Sequence, residues 1–188
     1  SLVDITPVLD WNTGKVTKMS GMFRGVQMTS LDALSDWDVS SVKEFGKYGL
    51  NSTATYKYTY GMFEDCTQLE NIDGLSNWNT SSAVDMRSMF RKCSKLKNVN
   101  ALSLWNVSRV KYFGDSYNSD NQLGIFSDCE SLSDISGLSN WNTYSATRMT
   151  NMFYNCRSLS DITPLSGWDV SSVSKMDRMF YNCVSLNN

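Results

Sequence analysis

Residues 159–183 read LSDITPLSGWDVSSVSKMDRMFYNC, and most of the chain can be laid over this one stretch. Its apolar residues fall at Leu159, Ile162, Leu165 and Trp168, then at Val173, Met176, Met179, Phe180 and Cys183. Residues 132–156 fit the same template through Leu132, Ile135, Leu138, Trp141, Ala146, Met149, Met152, Phe153 and Cys156, and residues 69–93 fit it equally well. The first copy is frayed, with Val26 where later copies carry cysteine. The six tryptophans, Trp11, Trp37, Trp78, Trp105, Trp141 and Trp168, are spaced by 26, 41, 27, 36 and 27 residues, which gives a 27-residue unit with two insertions. A fixed period of this size is the mark of a repeat architecture.

The two halves of the unit have different periods. Val173, Met176, Met179, Phe180 and Cys183 lie on one face of a helical segment, and Asp169 and Ser171 before them are residue types that cap helix starts. Leu159 to Trp168 is apolar at every third position, which predicts a short extended strand bending into a turn. Such a unit cannot bury its own apolar side, so neighbouring units must close the core. The expected fold is an α/β repeat solenoid of leucine-rich-repeat type, about six 27-residue coils, each with a short strand or turn and a short helix. The whole of residues 1–188 reads as one such domain. Coils start near residues 2, 28, 69, 96, 132 and 159, with insertions at about 46–61 and 114–124. The dipeptides after the tryptophans alternate between Thr and Val types, from Asn12-Thr13 and Asp38-Val39 to Asn142-Thr143 and Asp169-Val170, which implies a two-coil duplication unit.

The phrases LSNWNTSS (75–82), MRSMFRKCSKL (86–96) and LSGWDVSSVSKMDRMFYNCVSL (165–186) resemble the BspA-like leucine-rich-repeat surface proteins of host-associated bacteria, mycoplasmas and some protists. The resemblance runs over nearly the whole chain. It implies a cell-surface or secreted protein that contacts other cells, matrix or host proteins. It brings no catalytic residues, and it names no partner.

Composition narrows the function classes. With 17 basic and 19 acidic residues the formal charge is −2, and no Lys/Arg run offers a nucleic acid its usual basic patch. No apolar stretch approaches the roughly 18 residues that span a bilayer, so direct membrane insertion is not expected. The chain opens at Ser1 without a basic-then-apolar leader, and it reads as a mature or trimmed piece of a longer chain. There is no histidine, which removes the commonest general base and transition-metal ligand. An enzyme is not expected, and no cofactor or metal is implied.

Cys66, Cys93, Cys129, Cys156 and Cys183 each follow the Phe of their copy by three residues. One cysteine per copy reads as a core column, with disulfide and metal readings behind it. The Met-Phe pairs and the tryptophans likewise read as core. The Asn/Asp column of Asn12, Asp38, Asn79, Asn106, Asn142 and Asp169 suits turn-capping more than calcium, since only two of the six are carboxylates. Asn-x-Ser/Thr strings stand at Asn51, Asn79 and Asn106, of which only Asn51, inside an insertion, is expected to be well exposed.

Individuality in a repeat array sits in its insertions. The first, GKYGLNSTATYKYTYG, lies between Phe45 and Met62, and the second, GDSYNSDNQLG, between Phe113 and Ile125. They add 14 and nine residues at the same template position in the second and fourth copies, so they should emerge on one side with the third copy between them. Tyrosine mixed with Ser, Gly and Asn is the composition of binding loops, and residues 56–60 alternate as a short strand would. The expected binding residues are Tyr48, Tyr56, Lys57, Tyr58, Tyr60, Tyr112, Tyr117 and Asn118, with a protein or glycan on another cell, host or matrix as partner. The rival reading is tolerated surface decoration. The rival function is a structural stalk or filament built by end-to-end self-association of the repeats.

Overall fold

The computed structural model describes residues 3–50, 57–115 and 123–186, of which 48–50 and 57–59 by backbone alone. It overturns the expected α/β leucine-rich solenoid. Among the described residues there is no α-helix, and most of the chain is turn and coil. The regular elements are short 3-10 turns at Thr6–Val8, Asp32–Leu34, Asp73–Leu75, Asn100–Leu102, Ser136–Leu138 and Thr163–Leu165, and four strands. β1 (Gly46–Leu50) and β2 (Lys57–Gly61) form an antiparallel hairpin, and β3 (Tyr112–Gly114) pairs in parallel with β4 (Arg148–Met149).

The helix fails for a reason seen in its backbone. An α-helix returns each N–H to the carbonyl four residues earlier. Here alternate N–H groups reach into the next repeat instead. Phe63 bonds Met89 O, Phe90 bonds Ile125 O, Phe126 bonds Met152 O and Phe153 bonds Met179 O, at 2.9–3.1 Å. Between these bonds the chain closes tight turns, such as Met89 N–H to Met86 O and Cys93 N–H to Phe90 O. The residue before each cysteine position takes a left-handed conformation, at Gly25, Asp65, Lys92, Asp128, Asn155 and Asn182. Gly, Asn and Asp enter that region most readily, and five of these six are of those types.

The strand half is also reduced, to single-residue parallel bridges such as Ser30↔Asn71 and Asn98↔Asp134. Asn and Asp side chains hold the corners. Asp169 Oδ1 accepts the Ser171 N–H at 2.9 Å, and Asp161 Oδ1 accepts that of Thr163 at 2.8 Å. These bonds, from side chain and backbone of the residue two ahead, hold Asp169 below the ordinary carboxylate range. The residues expected to cap helices cap turns.

Apolar columns run through the repeats. Phe23, Phe63, Phe90, Phe126, Phe153 and Phe180 stack in sequence, with ring centroids 5.5–5.9 Å apart. Every tryptophan from Trp37 onward donates its indole N–H to a carbonyl of the preceding repeat, namely Val8, Leu34, Leu75, Leu102 or Leu138, at 2.9–3.0 Å. The two-repeat pattern has a packing counterpart. Trp11 stacks on Trp37, Trp78 on Trp105 and Trp141 on Trp168, each at 6.2 Å. Between those pairs, Phe45 lies against Trp78 and Phe113 against Trp141. Thr13, Thr80 and Thr143 donate to the Asp38, Asn106 and Asp169 carbonyls of the second member of each pair.

The five cysteines are free and buried. Each thiol donates to the Phe carbonyl of the preceding repeat, as Cys93 does to Phe63 O at 3.2 Å and Cys156 to Phe126 O at 3.2 Å. Burial pushes the Cys66 thiol up to about 12 and that of Cys183 to about 11. Because the thiolate is the reactive form, native protein at mildly alkaline pH is expected to resist iodoacetamide at all five positions. Mass spectrometry of native and urea-unfolded samples reads this directly, and rapid native labelling of Cys93 or Cys129 would contradict it.

Candidate functional site

Both insertions leave the fold through the same framework. Each begins Phe-Gly, at Phe45-Gly46 and Phe113-Gly114, and ends on Gly61 or Gly124. The chain then closes behind the insertion, with Met62 N–H on Phe45 O and Ile125 N–H on Phe113 O, both at 2.8 Å. The four glycines are required by contact. A Cβ on Gly46 would lie 1.6 Å from Arg87 O, and one on Gly61 would lie 1.7 Å from Ser88 O. At Gly114 and Gly124 it would meet Thr150 O at 2.0 Å and Asn151 O at 1.9 Å. Gly61→Ala is therefore expected to destabilise by about 1–3 kcal/mol or more through overpacking against backbone. Gly167→Ala, whose Cβ would meet only Ser139 O at 4.0 Å, serves as the near-neutral control in urea titration.

Polar groups fasten these roots. Gly61 N–H donates to the fully buried Glu64 Oε2 at 3.1 Å, and Arg91 Nη1 donates to Glu64 Oε1 at 2.8 Å. The second insertion repeats this with Ser127, whose Oγ accepts from Gly124 N–H at 3.1 Å and donates to Asn151 O at 2.7 Å. Between the two roots lies the third repeat, which touches both. Its Ser88 O faces Gly61, while Ser88 N–H donates to Leu123 O at 3.2 Å.

The same repeat supplies Arg87, the centre of a buried ionic cluster. Arg87 Nε lies 3.0 Å from Asp85 Oδ1, Nη2 bonds Asp85 Oδ2, and Nη1 reaches Asp115 Oδ2 at 3.1 Å. Asp115, at the start of the second insertion, also accepts Arg148 Nη1. The Arg87 guanidinium stands over the Tyr112 ring at 4.8 Å and that of Arg148 at 5.6 Å, within cation–π range. Burial pushes the Asp85 carboxyl above its ordinary value, against the pull of its Arg87 bonds. Burial also opposes the Arg87 charge, but the Asp85 and Asp115 carboxylates outweigh it and hold the cation. Beside the cluster, Lys43, Glu44, Lys47, Asp85, Arg87 and Tyr112 line an open groove of about 320 Å³.

The expected binding residues are distributed over this region. Tyr112 joins the ionic cluster. Tyr60 joins the other root, where Arg24 stands over its ring at 5.4 Å and its Cβ abuts Gly21. Tyr48, Lys57 and Tyr58 sit on the hairpin, Tyr48 opposite Thr59, Tyr58 opposite Gly49 and Lys57 opposite Leu50. Tyr56, Tyr117 and Asn118 lie outside the described residues. The sequence reading missed Arg87, Asp85, Asp115, Arg148 and Glu64. The signal available for them was the recurring frame Phe-Gly … Gly-Met/Ile-Phe around each insertion, with Glu64 or Ser127 following it.

Among the described residues, no group of three or more His, Cys, Asp or Glu residues is arranged to hold a metal ion, and no helix is long and apolar enough to cross a membrane. No curated protein and no solved structure matches the chain. The repeat pattern does match a family of proteins over residues 3–117 and again over 118–188. The chain therefore belongs to the family described as Mycoplasma protein of unknown function, DUF285.

Proposed function

We propose that this protein is a non-enzymatic interaction module, adhesin-like, that holds its two insertions out toward a protein or glycan partner. One observation carries the reading. Both insertions rise from glycine-framed, hydrogen-bonded roots on either side of one repeat, whose Arg87 packs its carbonyl against Gly46 and bonds Asp115 through its guanidinium. Loops held at their base lose less entropy on binding than free ones, and their tyrosines supply contact area with few rotors. The resemblance to BspA-like surface proteins supports a cell-surface or secreted setting, with a partner on another cell, host or matrix.

The test is a glycan and host-protein array probed with the parent and with a variant lacking residues 47–60 and 115–123, which restores the 27-residue template and keeps all four framing glycines. Loss of a specific signal, with cooperative melting retained, is the expected result. Equal binding by both proteins would move the site off the insertions.

A further inference from the structure

The face from which the insertions leave carries more positive charge than the fold consumes. Successive repeats lie side by side there through parallel bridges that run from Lys18 to Glu44, Asp85, Tyr112, Arg148 and Lys175. One residue earlier on three of these rungs stand Lys43, Val84 and Lys111. Val84 N–H bonds Lys43 O and Lys111 N–H bonds Val84 O, each at 2.9 Å. Adjacent rungs are about 5 Å apart, so the two lysines flank Val84 at backbone positions about 10 Å from one another.

The groove beside the ionic cluster lies on this face. Val84 and Tyr112 form its apolar wall, and Lys43, Lys47 and Arg87 set positive charge against Glu44 and Asp85. Around it, Lys18 pairs with Glu44, Arg148 bonds Asp115 beside Arg87, and Lys111 follows on the next rung. The patch so defined holds six basic side chains and three acidic ones, in a chain whose formal charge is −2.

These cations differ in what they are free to do. Arg87 and Arg148 are committed to Asp85 and Asp115. Lys43 is exposed and forms no ion pair among the described residues. Lys47 is 49% exposed and approaches Glu44 Oε2 only to 3.8 Å, beyond hydrogen-bond distance. Glu44 Oε2 itself is enclosed and accepts no hydrogen bond among the described residues. A buried acceptor without a donor is costly, so a hydroxyl drawn in beside Lys47 gains by supplying one. Backbone N–H groups offer nothing to a partner here. Those of Lys43 and Glu44 bond Thr17 O, those of Val84 and Asp85 bond Lys43 O, and those of Lys111 and Tyr112 bond Val84 O. An added peptide strand finds no free N–H groups to pair with, and recognition falls to side chains. The interleaved Glu44 and Asp85 disfavour a densely sulfated or phosphorylated chain but tolerate a single negative charge.

We propose that this groove binds an acidic sugar, a pyranose ring whose carboxylate is held by the Lys43 and Lys47 ammoniums and whose hydroxyl donates to Glu44. The apolar face of the ring lies against Val84 and Tyr112. The groove volume of about 320 Å³ stands at the small end of ligand sites. This names the ligand class for the face that the insertions flank, and it rests on reading that face as a binding surface.

Isothermal titration of the whole chain with hyaluronan tetrasaccharide and with sialyllactose tests this, with chitotetraose and lactose as neutral counterparts. At least one acidic sugar is expected to bind about tenfold more tightly than its neutral counterpart. The pair tells whether the carboxylate sits on an internal uronic acid or on a terminal ring. Lys43→Gln with Lys47→Gln is expected to weaken that binding about tenfold and to leave the urea midpoint in place, since both side chains are exposed. Lys43→Arg keeps the charge and is expected to keep the affinity, and added salt is expected to lower it. Acidic sugars bound no more tightly than neutral ones, binding unchanged in the double variant, or tighter binding of a heparin tetrasaccharide would each overturn the proposal. If the array signal depends on the insertions and neither acidic sugar binds, the ligand class is wrong while the binding role of the insertions stands.

Discussion

Arg87→Leu is expected to lower stability by about 3–5 kcal/mol, the cost of removing one partner from a buried ionic network. The arginine side chain is 9% exposed, and those of Asp85 and Asp115 are 9% and 8%. Leucine approximates the lost apolar volume but takes the guanidinium away from two buried carboxylates, while Arg148, whose side chain is 39% exposed, stays on Asp115. The penalty is expected to depend on pH. Burial already raises Asp85, so folding tilts its titration toward the acid relative to the unfolded chain. That contribution is complete below the ordinary carboxylate value and is lost as pH rises through the raised one. Without Arg87 the bias grows, so the variant should suffer more at neutral than at mildly acidic pH. Urea titration at both pH values measures this. Adding Asp85→Asn to Arg87→Leu should recover part of the loss at neutral pH. A loss under about 1 kcal/mol, the range of exposed ion pairs, would show that solvent reaches the cluster.

Phe90→Ala is the second large effect, at about 3–5 kcal/mol for emptying a fully buried aromatic site. Phe90 is 0% exposed and lies between Phe63 at 5.5 Å and Phe126 at 5.9 Å, with Trp105 tilted against it. The cavity has little means of collapse, because hydrogen bonds hold the repeats on both sides at fixed spacing. Phe90 N–H reaches Ile125 O, and Cys93 Sγ reaches Phe63 O. Against a typical stability of roughly 5–15 kcal/mol this is a large fraction. Phe180→Ala, in the half-open last repeat, should cost distinctly less. Equal urea midpoints for the two variants would mean that the column does not carry stability repeat by repeat.

These effects locate what the roots of the insertions require. The hairpin from Gly46 to Gly61 is seated against backbone of the third repeat and closed on Glu64. The second insertion is seated against the fifth repeat and closed on Ser127. A binding role needs that rigidity at the base and variety at the tips, and the composition of the insertions provides the variety.

The apolar columns could be read from residue order alone. Trp, Phe and Cys recur at fixed template positions because each repeat meets the same neighbour above and below, so one packing solution is written several times. The turn-capping use of Asn and Asp was also visible in the chain. The conformation between them was not. Met at i and i+3 with Phe at i+4 and Cys at i+7 satisfies a helical face and equally a run of tight turns. Only pairing between repeats decides the matter, since N–H groups such as those of Phe63 and Phe90 find acceptors 26 and 35 residues away instead of four. The glycine, asparagine or aspartate before most of the cysteine positions was the local hint of left-handed turns. The ionic cluster lay further from view. Arg87 occupies a template position held elsewhere by Ser20, Thr150 and Asp177, and its partner Asp115 lies in an insertion with no template at all. Residue order determined which side chains share a column. Where the unpatterned residues met, and whether the backbone coiled or turned, was decided by the long-range hydrogen bonds and burial that exist only once the repeats are packed.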